Sequence, residues 1–239
     1  MATEMSKMNT SMVLRICKAD MSSHGGFIWP ETGHVEAPDW EATQECGHGL
    51  HGWFEAQGDA DYSSYLNEPD AKYLVLEVET DSIIHLDGKC KFPEADVVFV
   101  GSRNEAIAYI EETYPYLRTM PLLFANRTVG DNNVVATGDF GTAKAGRYGT
   151  AIAGNYGTAI AGRYGTATTG KYGTAMAGYN GTATAGEFGT AMAGFRGIIQ
   201  IHYFSGRDQI AIGYIGEKGL KPNVKYTLDV NHNFVEDVS

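Results

Sequence analysis

An eight-residue repeat occupies the middle of the chain. Seven octads run without interruption from Gly138 to Ala193, and an eighth begins at Gly194. In all seven, positions 1 and 4 are glycine, position 5 is threonine and position 6 is alanine, and position 3 is aromatic in six of them. The octads read GDFGTAKA, GRYGTAIA, GNYGTAIA, GRYGTATT, GKYGTAMA, GYNGTATA and GEFGTAMA. A repeat this regular predicts a stack of similar structural units.

The length and composition of the octad favour one β-strand followed by one bend. Eight residues are too few for a closed turn of a solenoid, so two octads are predicted to form one coil. A helix would carry two glycines per octad at a cost of about 1 kcal/mol each, and collagen requires glycine at every third position. The repeat therefore predicts a parallel β-solenoid, or β-roll, with two octads per coil.

Position 7 indicates which face of each strand points outward. Side chains alternate between the two faces of a strand, and position 7 varies widely and includes the charged Lys144. Positions 5 and 7 are therefore predicted to face outward, while the alanines at positions 6 and 8 fill a narrow interior. The glycines at positions 1 and 4 are predicted to permit bends or positive φ angles, and the rings at position 3 are predicted to stack from coil to coil.

Two different outward surfaces follow from a coil of two octads. One sheet carries a threonine array, formed by Thr166, Thr168, Thr182 and Thr184. The opposite sheet carries an apolar stripe, formed by Ile160, Met176 and Met192. The stripe is predicted to be buried against the N-terminal domain or against a second copy of the chain about a symmetry axis.

An arginine column at one edge of the coils is a third candidate surface. Arg147 and Arg163 fall one coil apart, about 4.8 Å, with Tyr179 next in line. Such a column could contact phosphates or carboxylates. Asp139 and Glu187 fall on the opposite edge, and exposed charges contribute little to stability or binding, so a solvated ladder of charges is the preferred interpretation.

The pattern G-x-Y-G-T-A-x-A resembles the half-repeats of bacterial ice-nucleation proteins and, more loosely, the small-residue repeats of adhesin β-roll heads. The whole chain resembles an uncharacterised group of bacterial and phage proteins, through the segments GGFIWPETGHVEAPDW and CGHGLHGW and the tail IAIGYIGEKGLKPNVKYTLDVNHNFVE. The resemblance implies a short N-terminal domain joined to octapeptide repeats, and it carries no established activity.

The segments before the repeat are predicted to form an acidic α+β head domain over residues 12–128, after a disordered N-terminus over residues 1–11. Segments with the length and β-branched content of strands are Met12–Cys17, Lys72–Glu79, Ser82–Leu86 and Asp96–Gly101. The sequence from Ser102 to Glu105 has a capping-box pattern, which predicts a helix over Arg103–Thr113 that ends before Pro115. Gly130–Asn133 is predicted to join the head to the solenoid, which is assigned to residues 129–193.

Residues 194–239 are predicted to form a cap. GIIQIHYF and QIAIGYIG are typical of strands joined by a turn at Ser205–Asp208, and VKYTLDV and FVEDV are typical of a closing hairpin. A cap is expected because the open end of a solenoid exposes unpaired backbone groups. The predicted fold is therefore an α+β N-terminal domain followed by a β-solenoid with a β-hairpin C-terminal cap.

The acidic residues are concentrated ahead of the repeat. Residues 1–137 contain 22 acidic and 9 basic side chains, a net charge of −13, and residues 138–239 contain 7 and 9, a net charge of +2. This distribution argues against a duplex-binding protein, although nucleic-acid binding through the solenoid alone stays open. No apolar run reaches the ~18 residues of a membrane helix and the first ten residues lack the apolar centre of a signal peptide, so a cytoplasmic protein with no membrane partner is expected.

The segment Cys46-Gly-His48-Gly-Leu-His51 is the densest cluster of potential metal ligands. A zinc site needs about four nitrogen or sulfur ligands, and the remaining ones would have to come from residues distant in sequence. The spacing matches no common zinc motif, so a glycine-rich turn with partly exposed histidines is the preferred interpretation and no metal site is assigned. Three cysteines at irregular spacing also argue against a disulfide framework.

The segment GHGLHGW also loosely resembles the G-x-G-I-Y-F strand of ADP-ribosyltransferase-like folds. The resemblance implies that His24 and Tyr62 would hold a nicotinamide and that Glu77 or Glu79 would orient the ribose, in a head pocket that includes His48 and His51. The chain departs from these folds because it has no clear R-S-E, H-Y-E or E-x-E set, so a degenerate relative that is used only for binding is preferred to an active transferase.

The leading hypothesis is a non-enzymatic binding and assembly protein without a cofactor, in which the solenoid forms homo-oligomers. The phage resemblance and the net negative charge suggest that the head blocks a host defence protein with a basic surface, so the expected partners are a second copy and a host protein. The alternatives are an NAD-using transferase in the head and an ice-binding protein that uses the threonine array. No P-loop, dinucleotide fingerprint, nucleophile elbow or HExxH motif occurs, so no catalytic residue is assigned.

Overall fold

The computed structural model describes residues 9–238, which form two compact units. The first unit, which we call the head, ends at Arg118, and the second, which we call the solenoid unit, begins at Thr119. The head thus ends at residue 118 and not at the predicted residue 128. Residues 1–8 of the predicted disordered N-terminus lie outside the described residues, while Thr10 and Ser11 belong to the first strand.

The head is a seven-stranded antiparallel sheet with one α-helix. Its elements are β1 (Thr10–Cys17), β2 (Gly33–Glu36), β3 (Leu50–Phe54), β4 (Lys72–Glu79), β5 (Ile84–Leu86), β6 (Lys89–Phe92), β7 (Glu94–Gly101) and α1 (Arg103–Thr113). Single 3₁₀ turns occur at His24–Gly26, Ala60–Tyr62, Thr80–Ser82 and Pro115–Thr119. The spatial order of the strands is β2-β7-β4-β1-β3-β6-β5.

The central strands β1 and β4 form the core of the head because both of their faces are covered. Leu14, Leu74 and Val75 are fully buried, and α1 packs over one face of the sheet through its buried side chains Ala106, Ile107 and Ile110. The strand β4 and the helix α1 have the predicted bounds, and the capping box between Ser102 and Glu105 is present.

The remaining strands differ from the prediction in ways that local geometry explains. The strand β5 begins at Ile84 because Thr80–Ser82 forms a 3₁₀ turn. The strands β2, β3 and β6 were missed because each has only four or five residues. In β3, a Cβ on Gly52 would lie 2.4 Å from Val13 Cγ1, so this glycine, which suggests a turn in the sequence, instead allows β3 to lie beside β1.

The solenoid unit contains five stacked coils of two strands each, which confirms the predicted β-solenoid. In chain order the strands are β8 (Asn126–Thr128), β9 (Val134–Ala136), β10 (Thr142–Ala145), β11 (Thr150–Ala153), β12 (Thr158–Ala161), β13 (Thr166–Thr169), β14 (Thr174–Ala177), β15 (Thr182–Ala185), β16 (Thr190–Ala193) and β17 (Ile198–Phe204). The even-numbered strands from β8 to β16 are the parallel strands of one sheet, which we call the first solenoid sheet, and the odd-numbered strands from β9 to β17 are those of the second solenoid sheet. Each strand pairs in parallel with the strand one coil away, so that Thr142 lies beside Thr158.

The coils begin two octads before the glycine-rich repeat. Phe124 and Asn132 have φ angles of 62° and 61°, as do the third residues of the later octads, and the ring of Phe124 lies 6.0 Å from that of Phe140. Residues 122–137 therefore form the first coil, and Gly130–Asn133 is a bend inside it and not the predicted joint between domains.

The left-handed backbone conformation falls on the aromatic position of the octad, so of the two roles predicted for the glycines, bends or positive φ angles, the second is not observed. Tyr148 and Tyr164 have φ angles of 57° and 61°, whereas the repeat glycines have no positive φ. The left-handed region is unfavourable for a residue with a Cβ. It is stabilised here because the Tyr148 N–H donates to Arg163 O at 3.0 Å and because the two rings stack at 4.9 Å between adjacent coils.

The repeat glycines are required because successive coils leave no space for a side chain. A Cβ on Gly162, at position 1, would lie 2.7 Å from the carbonyl carbon of Gly146 in the preceding coil. A Cβ on Gly165, at position 4, would lie 2.8 Å from Gly149 O. Both distances are shorter than any normal carbon contact, so glycine at these positions sets the spacing of the coils.

The interior of the solenoid is the predicted narrow alanine core. The alanines at position 6, from Ala143 to Ala191, are 0% exposed, while the neighbouring threonines and position-7 side chains face outward. Larger side chains replace alanine at the two ends, with Val135 in the first coil and Ile199 and Ile201 in the last. The core therefore widens where the stack ends.

The C-terminal cap is present but begins later than predicted. Ile198–Phe204 is the last strand of the second solenoid sheet, because β17 pairs in parallel with β15. The cap proper consists of β18 (Asp208–Tyr214), β19 (Tyr226–Leu228) and β20 (Phe234–Glu236), which add antiparallel strands to both sheets. The buried side chains of Ile215 and Tyr226 cover the end of the alanine core.

The close approach of the coils predicts unequal effects of two glycine substitutions at the same octad position. Gly162→Ala is expected to lower the free energy of unfolding of the solenoid unit by about 2 kcal/mol, because its Cβ overlaps the preceding coil. Gly130→Ala, at position 1 of the first coil, should be neutral or slightly stabilising, since no atom lies within 4 Å of its Cβ. Thermal unfolding followed by near-ultraviolet circular dichroism of the tyrosines measures both, and equal effects would contradict this account.

Candidate functional site

The outward face of the second solenoid sheet carries the predicted threonine array. Thr150, Thr166 and Thr182 form one in-register ladder, and Thr168 and Thr184 form a second ladder beside it. The ladders end at apolar or paired side chains: Ile152 is aligned with Thr168, and Thr184 donates to Gln200 Oε1 at 2.9 Å. This face presents five threonine hydroxyl groups in two rows.

The outward face of the first solenoid sheet carries the predicted apolar stripe. Ile160 is aligned with Met176, and Met176 with Met192, and all three side chains are half-buried. Lys144, which is exposed, ends the stripe. A ladder of four threonines runs beside it, formed by Thr142, Thr158, Thr174 and Thr190. It follows from the predicted outward orientation of position 5, although it was not included in the predicted threonine array.

The two edges of the coils carry ladders of rings and charges. Phe140, Tyr156, Tyr172 and Phe188 stack along one edge at ring separations of 4.8–5.2 Å. At the other edge, both Nε and Nη2 of Arg147 lie 2.8 Å from Asp131 Oδ2. Arg163 lies one coil further along, 5.2 Å from the ring of Tyr179. Arg147 is therefore paired with a carboxylate, which reduces the positive charge that this column offers to a phosphate.

A cleft of about 660 Å³ in the head brings together four of the six predicted head-pocket residues. His24 comes from the 3₁₀ turn after β1, His48 and His51 from the start of β3, and Tyr62 from the turn after β3. His48 lies 3.7 Å from Asp39, and His51 Nδ1 lies 3.0 Å from Gly49 O. The glycine-rich segment, residues 46–52, thus lines one side of this cleft.

The two glutamates predicted to complete a nucleotide-transfer site are elsewhere, so this prediction is wrong. Neither Glu77 nor Glu79 lines the cleft. Glu77 accepts a hydrogen bond from the Tyr114 hydroxyl at 2.9 Å, and Tyr114 follows α1. Glu79 is exposed at the end of β4. Within residues 9–118, the cleft therefore combines His24 and Tyr62 with neither Glu77 nor Glu79.

The cysteines and histidines of the cleft do not form a metal centre in the described residues. His51 uses both ring nitrogens locally, since Nε2 is 3.5 Å from the Gly47 N–H. Burial raises the pKa of Cys17 to about 11 and that of Cys90 to about 12, so both thiols stay protonated. Three potential ligands do converge at His34, Glu36 and Glu94, but all three are exposed.

Two cations in the cleft were not identified from the sequence. Arg15 interrupts the apolar strand MVLRIC, and its Nη1 donates to His51 O at 3.1 Å. Lys89 Nζ lies 2.9 Å from Cys46 Sγ and 5.1 Å from the centre of the Tyr62 ring. The one sequence feature that could have identified Arg15 is its charge in the middle of the otherwise apolar strand MVLRIC.

Residues 11–108 match a family described as a domain of unknown function (DUF7666). This segment lies within the head and extends from β1 into α1. No solved structure shows a significant match to the chain.

The chain is also similar to several bacterial ice nucleation proteins. One from Pseudomonas fluorescens is 40% identical over 103 residues, which cover 42% of this chain and 8% of the relative. One from Pseudomonas syringae is 38% identical over 105 residues, which cover 43% of this chain and 9% of the relative. InaU from Pantoea ananas is 36% identical over 102 residues, which cover 41% of this chain and 10% of the relative. The chain thus spans a tenth or less of the length of these relatives.

None of the helices within residues 9–238 has the length and apolar character that a membrane-spanning helix requires.

The environment of His51 predicts a pH dependence of the stability of the head. Burial, and then the charges of Lys89 and Arg15, lower the pKa of His51 to about 4. The unfolded chain binds this proton near pH 6.5. The contribution of neutral His51 is therefore complete above pH 6.5 and is lost as the pH falls towards 4, by about 1–2 kcal/mol because solvent screens this partly exposed ring.

The test compares wild type with His51→Gln by urea unfolding at pH 7.0 and pH 4.5. Tryptophan fluorescence reports on the head alone, because all three tryptophans, Trp29, Trp40 and Trp53, lie in it. Wild type should lose more stability between the two pH values than the variant. Identical losses would contradict the assignment.

Proposed function

We propose that this chain is a non-enzymatic binding and assembly protein whose working part is the solenoid unit. The observation that carries the proposal is the in-register stacking of five coils, which aligns equivalent octad positions and forms ladders of threonines, of rings and of apolar side chains. Such ladders offer regular, repetitive surfaces. They suit contact with another regular surface better than they suit chemistry on a small molecule.

The apolar stripe of the first solenoid sheet is the proposed self-association surface. Ile160, Met176 and Met192 present adjacent aliphatic and thioether groups on a flat sheet. Apolar groups in a contiguous row favour burial against a partner, and methionine adapts to the shape of the opposing surface. Two copies related by a two-fold axis would bury the same stripe against itself.

The proposed assembly predicts that a charge in the stripe disrupts it. Met176→Glu should lower the mass measured by light scattering to that of one chain, because two carboxylates would be buried in each symmetric contact. Thr168→Glu, on the opposite sheet in the preceding coil, is the matched control and should leave the mass unchanged. Equal masses for wild type and Met176→Glu would refute the stripe as the interface, as would a wild type that is itself a single chain.

Ice binding through the threonine array is a second candidate function. It is favoured by one specific arrangement, two adjacent threonine ladders on the second solenoid sheet, with spacings of about 4.8 Å between coils and about 6.7 Å along a strand. The relatives that are named ice nucleation proteins support the same role. The longer threonine ladder spans only three coils, about 10 Å, so assembly through the opposite sheet would enlarge the surface.

The ice-binding proposal predicts that the second sheet and not the first is responsible. The double variant Thr166→Leu and Thr182→Leu should abolish inhibition of ice recrystallisation, because it removes two hydroxyl groups from the longer ladder. Thr158→Leu with Thr174→Leu changes the same octad position in the same two coils on the other sheet, and should retain activity. An inactive wild type would refute ice binding. Equal losses of activity in the two double variants would refute its assignment to the second solenoid sheet.

The host defence target and the phage origin expected from the sequence stay predictions.

A further inference from the structure

The cleft of the head contains a desolvated cation that has no counter-ion among residues 9–238. Arg15 lies on the central strand β1, and its Nε is buried without a hydrogen-bond partner in the described residues. Its guanidinium group lies 5.7 Å from the centre of the Trp29 ring, and it donates one hydrogen bond, to His51 O. Burial lowers the pKa of Arg15, and the groups that oppose this are Tyr65 and Cys17 and not a carboxylate. A buried cation is unfavourable unless an anion pairs with it.

A second cation points to the same cleft. Lys89, from β6, contacts the Cys46 thiol and the face of the Tyr62 ring, and no carboxylate pairs with it within the described chain. Asp39 also lines the cleft. Its Oδ1 accepts a hydrogen bond from the Gly49 N–H at 3.0 Å, and its Oδ2 lies beside His48. Both oxygens of Asp39 therefore contact the loop before β3 and not Arg15 or Lys89.

The absence of a carboxylate beside Arg15 contrasts with the composition of this part of the chain. Residues 1–118 contain 21 acidic and 8 basic side chains. Carboxylates are therefore abundant, yet none among residues 9–118 pairs with Arg15. Arg15 and Lys89 are therefore both available in the cleft to pair with an anionic ligand.

The walls of the cleft suit a flat, partly apolar ligand. Phe27, Trp29 and Tyr65 line it, and Tyr62 is about half exposed within it. A volume of about 660 Å³ lies in the range of 300–1,000 Å³ that is typical of small-molecule sites. An exposed ring beside a cation provides a stacking surface for a planar group.

We propose that the head binds a phosphate monoester attached to a planar ring, with the phosphate between Arg15 and Lys89 and the ring against Tyr62. A phosphate monoester carries close to two negative charges at neutral pH, which matches two cations. Arginine offers the planar donor geometry that phosphate oxygens accept.

Isothermal titration calorimetry of the full chain with three probes tests the ligand chemistry. Adenosine 5′-monophosphate contains both groups, adenosine lacks the phosphate, and inorganic phosphate lacks the ring. The monophosphate should bind saturably and more tightly than either fragment. No saturable binding, or adenosine binding as tightly as the monophosphate, would overturn the proposal, and inorganic phosphate binding equally tightly would overturn the role of the ring.

Two substitutions test the site. Lys89→Gln removes a charge without opening the core and should weaken binding of the monophosphate at least about tenfold, since charge-assisted hydrogen bonds contribute this much. Arg15→Gln should do the same, and tryptophan fluorescence establishes whether it folds. Lys18→Gln, an exposed cation outside the cleft, is the matched control and should bind as wild type does. Unchanged affinity in Lys89→Gln would refute the site even if Arg15→Gln does not fold.

Alkylation of Cys46 provides a second readout. Cys46 is the exposed cysteine of the chain and lines the cleft, whereas Cys17 and Cys90 are buried. Iodoacetamide should therefore modify Cys46 in the native protein, and the monophosphate should slow this reaction at least threefold at saturation while adenosine does not. Binding without protection of Cys46 would place the ligand elsewhere and overturn the proposal.

Discussion

The close approach of backbone to backbone at the bends is the constraint on which the solenoid depends. At positions 1 and 4 of the octads, a Cβ would lie within about 3 Å of atoms in the preceding coil, as Gly162 and Gly165 illustrate. This leaves adjacent coils at the spacing of hydrogen-bonded strands. Because the spacing is the same at every bend, the strands stay in register over five coils, and the aromatic residue at position 3 can adopt a left-handed conformation and stack on its equivalent.

In-register stacking also explains why the two outward faces differ so clearly. The octads alternate between the sheets, so Ile160, Met176 and Met192 accumulate on one sheet while Thr168 and Thr184 accumulate on the other. A parallel stack of this kind places the same side-chain group at regular intervals along a row. The C-terminal end of the stack differs from its middle, because larger apolar residues and the antiparallel strands β18 and β19 cover the core there.

The head follows a different principle, in which residues distant in sequence meet in one cleft. Arg15 from β1, His51 from β3 and Lys89 from β6 are brought together because β3 lies between β1 and β6 in the sheet. Gly52 makes this order possible, since any side chain there would collide with Val13. The chemistry of the cleft is therefore a product of strand order, whereas that of the solenoid is a product of local repetition.

The coil of two octads, the inward alanines, the two outward ladders and the capped helix α1 could be predicted from the amino-acid sequence, because each of them depends on contacts of fixed and short sequence separation. The first coil at residues 122–137, where the glycines are largely replaced, and the conformation of the repeat glycines could not be predicted, because a single octad does not show the steric fit against another coil. The positions of Arg15 and Lys89 in the cleft, and of Glu77 away from it, became evident from the folded chain. They depend on the order of strands in an antiparallel sheet, which is set by the faces that can be buried together and therefore by the whole chain at once.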